Sequence, residues 1–152
     1  MKKNLLTLAL ISAFTVGCAS KNRVSVGGTP VKAGNIMEAR VNWLKDKKDK
    51  FDFNLSLQNT SDKGVIIYLN DISCMKGTST GEVKHTFFNT GERTIDFRPG
   101  QMKEFKLVCI LGHEVPDNSF KVIVKRINED QFGNGTTAGK ILARNLTIPV
   151  TL

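Results

Sequence analysis

Apolar and polar residues alternate with a period of two through most of the chain after residue 35. Phe51, Phe53, Leu55 and Leu57 alternate with Asp52, Asn54 and Ser56, which sends one set to one face of a strand and the other set to the opposite face. Phe105, Leu107, Cys109 and Leu111 alternate with Lys106, Val108 and Ile110, the pattern of a strand partly buried on both faces. Phe120, Val122 and Val124 alternate with Lys121, Ile123 and Lys125. Leu142, Leu146, Ile148 and Val150 keep one parity through the last strand, with Arg144 as the exception. Val65 to Leu69 is a continuous run of β-branched and aromatic character, as expected of a central strand.

Turn chemistry separates these runs. Lys45-Asp46-Lys47-Lys48-Asp49-Lys50 lies between strand-like 36–44 and 51–58 and reads as a charged hairpin tip. Its lysines also keep the adjoining strands from pairing with neighbouring molecules. Asn59 to Gly64 is a loop by composition. Arg98-Pro99-Gly100-Gln101 has Pro and Gly where a type II turn needs them. Asn89 to Glu92 and Gly133 to Gly135 are further turn signals. Seven or eight strands result, with no convincing long helix. Two packed antiparallel sheets bury such alternating faces economically. The expected fold is all-β, an antiparallel two-sheet sandwich over residues 36–152 that resembles immunoglobulin-like sandwiches in architecture. The antibody-type Cys…Trp…Cys order is absent, because Trp43 precedes both Cys74 and Cys109. A small eight-stranded barrel is the alternative.

The front of the chain reads differently. Met1 to Asn4 is short and positive, and Leu5 to Val16 carries no charge. Twelve helical residues reach about 18 Å, too short for a bilayer core of about 30 Å and suited to a signal peptide. The run ends at Thr15-Val16-Gly17-Cys18. This resembles the lipobox of bacterial lipoproteins, in which a small residue precedes the lipid-bearing cysteine. Gly17 and Cys18 match that pattern, whereas Thr15 stands where Leu is usual. The resemblance implies removal of residues 1–17, acylation of Cys18 and a membrane anchor without a transmembrane helix. A plain secretory signal cut near Ala19 or Ser20 is the alternative. Ala19 after the cysteine implies outer-membrane sorting where the source has an outer membrane. Residues 18–35, rich in Gly and Ser, read as a flexible tether, although Val24 and Val26 can start a short edge strand.

Of the 22 basic residues, loss of Lys2 and Lys3 leaves 20 against 14 acidic ones, a net of +6. That balance favours anionic surfaces such as lipid headgroups or acidic polymers. The basic residues are dispersed and no aromatic–basic stacking motif occurs, so nucleic acid is not an expected partner. Three cysteines are present. With Cys18 assigned to lipid, Cys74 and Cys109 form an even pair in an oxidising compartment and are expected to form a disulfide. Two buried free thiols are the other reading of the same pair.

Catalytic chemistry is not indicated. His85 and His113 fit no zinc spacing and there is no Cys-x-x-Cys, so neither a metal nor a cofactor is expected. No Gly-x-Ser-x-Gly elbow occurs, and Ser61-Asp62-Lys63 is a turn. Gly133 to Lys140 resembles a phosphate loop only superficially, since Asn134 and Ile141 replace the Gly and the Ser or Thr it requires. Its polar part, Asn134, Gly135, Thr136 and Thr137, is a candidate binding loop. The expected function is a membrane-anchored envelope lipoprotein that binds an envelope protein or a glycan without catalysis. An enzyme acting on envelope polymers, or a carrier of a small apolar ligand, is the alternative.

Overall fold

A computed structural model describes residues 24–25, 29–85 and 94–150. Eleven strands account for most of them: β1 (Val24–Ser25), β2 (Val31–Ala33), β3 (Met37–Asp46), β4 (Lys50–Asn59), β5 (Val65–Tyr68), β6 (Ile72–Lys76), β7 (Ser79–His85), β8 (Thr94–Phe97), β9 (Met102–Ile110), β10 (Phe120–Asp130) and β11 (Ala138–Val150). A 3-10 turn, Leu69–Asp71, joins β5 to β6. All pairings are antiparallel, and the all-β sandwich expected from the alternation is what forms.

The strands lie in two layers. In the first, β4 sits between β3 and β9, with β1 and β2 side by side along the far edge of β3. In the second, β10 sits between β11 on one side and β6 followed by β5 on the other, and β5 carries β8. Strand β7 belongs to both. Its residues 79–81 pair with β6 and its residues 82–85 pair with β9. The whole is therefore one hydrogen-bonded path that folds over at Gly81. At the other margin β11 lies against β2 and β3, but no ladder joins them among the described residues. Among the described residues the assembly is one open sheet hinged along one side, an arrangement that fits the sandwich and the barrel-like alternative.

The core lies between the layers. Phe51, Phe53, Leu55 and Leu57 are all fully buried. Phe51 of β4 meets Phe120 of β10 edge to face, ring centroids 5.0 Å apart, and Phe105 of β9 meets Phe97 of β8 at 6.4 Å. Each contact crosses from one layer to the other, and such aromatic pairs add to the free energy of area burial. Val122, Val124, Leu146, Ile148 and Val150 complete the same cluster from the second layer.

Several expectations are corrected by tertiary pairing. The described residues hold eleven strands, not seven or eight, because β1, β2 and β8 are two to four residues long. Alternation cannot register over so few positions. Part of the span 18–35 read as tether is taken up by β1 and β2, which supply partners to the backbone groups along the free edge of β3. Asn54 and Ser56 point to the outer face as expected, yet both are buried. Strand β4 is flanked on both sides by β3 and β9, and Asn42 donates to Asn54 from β3. In β11 Asn145 takes a φ of 52°, and Arg144 beside it is exposed, while the irregularities of the β10–β11 ladder fall at Ile127/Asn128 and Asn128/Asp130.

Two polar anchors fix the layers. Lys76 is 2 % exposed, and its Nζ donates to both carboxylate oxygens of Asp46, at 3.0 and 2.8 Å. The ammonium also sits 5.3 Å from the centroid of the Phe120 ring. The pair ties the second layer to the β3–β4 hairpin of the first, and burying the ammonium without its carboxylate is unfavourable. At the opposite end, Asn59 is fully buried. Its amide donates to the carbonyls of Lys63 and Phe97, at 2.7 and 3.2 Å, and its Oδ1 accepts from the Ser61 N–H and hydroxyl. One side chain thus shapes the β4–β5 loop and holds it to β8. Asn59→Ala strands these partners and is expected to destabilise the domain by about 2–3 kcal/mol. The shift in denaturant midpoint at unchanged slope measures it.

Candidate functional site

Cys18, the residue on which the lipid anchor rests, lies outside the described residues, as does the signal segment 1–17. Cys74 and Cys109 are joined: the disulfide links β6 to β9 across β7, with Cα atoms 6.0 Å apart. Strands two places apart in a flat sheet are about 9.5 Å apart, so the short span records the fold of the sheet at this line. Gly81 lies beneath the bond. A Cβ there would meet Cys109 Sγ at 2.5 Å, Cys74 Sγ at 2.9 Å and the Ile110 carbonyl at 2.9 Å.

The candidate loop residues Asn134, Gly135, Thr136 and Thr137 sit at the tip of the β10–β11 hairpin. Their polar groups are largely spent on the loop itself. Asn134 Oδ1 accepts from the N–H groups of Thr136 and Thr137 at 3.0 and 3.1 Å. The Gly135 N–H donates to Asp130 Oδ2 at 2.9 Å, and the Gly135 carbonyl accepts from the Thr94 hydroxyl at 3.4 Å. Gly133 and Gly135 both have positive φ, which the tight path requires. The loop is built, not floppy, and presents Phe132, which is 68 % exposed. Beside it Lys63 donates to Glu129 at 2.8 Å. That bond raises the Lys63 pKa and lowers that of Glu129.

A second surface was not visible from the pattern of residues. Strand β3 bulges at Asn42: Val41 faces Leu55, but Trp43 faces Asn54. Val41 and Leu44 are consequently both buried, while Asn42 and Trp43, each partly exposed, turn to the outer face. Strict alternation from Met37 would have turned Trp43 inward. Asn42 Nδ2 donates to Asn54 Oδ1 and to Glu104 Oε1, and Asn54 Nδ2 reaches the Phe105 carbonyl at 3.5 Å. The row beyond forms a concavity of about 230 Å³ lined by Glu38, Arg40, Ser56, Gln58 and Met102. A planar amide, a carboxylate, a hydroxyl and a guanidinium suit hydroxyl-rich or peptide-like ligands better than apolar ones.

Neither histidine assembles a reactive centre among the described residues. Ser79 Oγ lies 3.2 Å from His113 Nε2 on the exposed surface, but no carboxylate hydrogen-bonds the other ring nitrogen of His113, as an oriented nucleophile–base pair requires. His85 is half-buried in β7, and burial lowers its pKa. The described residues contain no group of three metal-ligating side chains. No helix among them is long and apolar enough to cross a membrane.

No protein-family model matches the chain, and no curated protein matches it. Among solved structures it is similar to the ycdA protein of Bacillus subtilis, provisionally described as a lipoprotein, with a TM-score of 0.55 and 10 % identity. That likeness covers 81 % of this chain and 38 % of the other, so the chain spans well under half of ycdA's length. It is also similar to the yjhA protein of the same organism, with a TM-score of 0.53 and 11 % identity over 82 % of this chain and 97 % of the other. At these identities the shared property is the fold.

Proposed function

We propose that this chain is a lipid-anchored module of a bacterial cell envelope that binds an envelope protein or glycan without catalysing a reaction. The observation that carries the reading is the distribution of its three cysteines. Two close a disulfide inside the sandwich, which suits an oxidising compartment. The third, Cys18, follows a short apolar segment in a sequence that resembles a lipobox. The likeness to ycdA supports the same reading at the level of fold. Where the source has an outer membrane, Ala19 directs the anchored protein there. The outer face around Asn42, Trp43 and Asn54 and the Phe132 hairpin are the surfaces offered to the partner.

Metabolic labelling with a fatty acid tests the anchor. The parent chain is expected to take up label and to remain with membranes. Cys18→Ser is expected to lose both properties while keeping its fold, a near-complete shift into the soluble fraction. An unlabelled parent, or both forms in one fraction, overturns the anchor. For binding, cross-linking in intact cells followed by detergent solubilisation should recover a defined partner, and Phe132→Ser or Asn42→Asp should reduce the yield.

A further inference from the structure

Ser56 lies on the outer face of β4, the middle strand of the first layer. It faces Arg40 on β3 and Glu104 on β9, and Gln58 faces Glu38 and Met102 in the same way. Adjacent strands are about 4.8 Å apart, so the backbones of Arg40 and Glu104 stand about 9.5 Å apart across Ser56. Apart from Glu104, these side chains line the concavity of about 230 Å³.

Its polar groups are unspent. Ser56 is 3 % exposed, yet its hydroxyl makes no hydrogen bond among the described residues, and neither do the side chains of Gln58 and Arg40. Asn54, one row along, differs, because Asn42 and the Phe105 carbonyl hold it. A buried hydroxyl without a protein partner is uncommon. It is satisfied by solvent or by a ligand that reproduces solvent's hydrogen bonds. In these two rows the charges cancel. Lys32 lies 3.5 Å from Glu38, and Arg40 is matched across Ser56 by Glu104. No ionic ligand is selected. A peptide strand is not selected either, since strand addition uses a free sheet edge and β4 is paired on both sides. Sugar hydroxyls both donate and accept, and neighbouring ones match the two-atom reach of a planar amide, carboxylate or guanidinium. Met102, 53 % exposed, offers a soft apolar surface to the C–H face of a ring. A volume below the roughly 300–1,000 Å³ of larger ligand sites suits one such ring.

We infer that this concavity holds one ring of a neutral sugar, with Ser56, Gln58 and Arg40 hydrogen-bonded to its hydroxyls. The inference names an occupant for the non-catalytic binding module proposed above and rests on that reading. It does not depend on the lipid anchor.

An NMR titration of the isotopically labelled Cys18→Ser chain tests it. The probes are the methyl glycosides of glucose, galactose, mannose and N-acetylglucosamine, with methyl glucuronoside as the charged sugar and end-blocked trialanine as the peptide. At least one neutral glycoside is expected to shift the amide signals of Arg40, Ser56 and Gln58 saturably. Its Kd should be on the order of 1 mM, the range for a ligand of about a dozen non-hydrogen atoms. Ser56→Ala should weaken binding about fivefold without lowering the melting temperature, because the hydroxyl has no protein partner to strand. Arg40→Gln, at an exposed position, should weaken it to a similar degree. Silence from all four neutral glycosides overturns the sugar site, as does tighter binding of the glucuronoside or of trialanine at the same signals. A partner still recovered by cross-linking in cells then leaves the binding module standing. Undiminished binding by both variants also overturns the site. A glycoside cleaved during the titration overturns the non-catalytic reading and the inference with it.

Discussion

Gly81→Ala is expected to destabilise the domain by about 3 kcal/mol, at or above the upper range for overpacking, and to lower the melting temperature by roughly 10 °C. The cause is space rather than backbone conformation, since Gly81 is not among the glycines with positive φ. Its missing side chain leaves room for two sulfurs and a carbonyl, all within 2.9 Å of where a Cβ would stand. None is the free end of a flexible side chain. The sulfurs are bonded to each other and the carbonyl belongs to β9, which pairs on both sides. Relief therefore requires moving strands at the line where the two layers join. Thermal unfolding of the Cys18→Ser chain, with and without the alanine, measures the effect without a lipid. A change below about 0.5 kcal/mol, the usual size for an indifferent site, would show that the sheet does not fold sharply there.

Loss of the disulfide is expected to have a comparable effect. Cys74 and Cys109 are 35 residues apart, and closing a loop of that length stabilises by about 4 kcal/mol on the chain-entropy account. Cys74→Ala with Cys109→Ala should therefore lower the melting temperature by roughly 15 °C, and a reducing agent should do the same to the parent. Both cysteines are fully buried, so the alanines also lose packing. The two predictions are coupled. Without the sulfurs, two of the three atoms nearest to a side chain at position 81 are gone and the Ile110 carbonyl stays. Gly81→Ala should then cost at least about 1 kcal/mol less in the double-alanine background than in the parent, since residues in contact do not add. Strict additivity would place the sulfurs away from Gly81.

The candidate site was only partly legible in the sequence. The loop at Asn134 to Thr137 was recognisable from turn residues, because such residues act on their own backbone. Its internal hydrogen bonds and the exposure of Phe132 were not, since they depend on Asp130 and Thr94 arriving from elsewhere. The Trp43 surface was hidden by a single bulged residue, which reverses the facing of everything after it. Nothing in the composition around Arg40, Asn42 and Trp43 marks that extra residue. The burial of Lys76 was equally invisible, because a lysine inside a sandwich is tolerated only once Asp46 has been brought to it by a separate hairpin.

The longer strands β3, β4, β9, β10 and β11, the Pro99–Gly100 turn, the charged hairpin and the export-like front end could be read residue by residue. A period of two, a positive φ at glycine and a short apolar run are properties of neighbours in the chain. Only the folded molecule decided that β7 would change partners at Gly81, that the sheet would turn over there, and that β1 would join β3 beside the lysine hairpin. Those outcomes depend on which distant strands compete for the same backbone hydrogen bonds, and that competition is settled by packing two whole layers against each other rather than by any local preference.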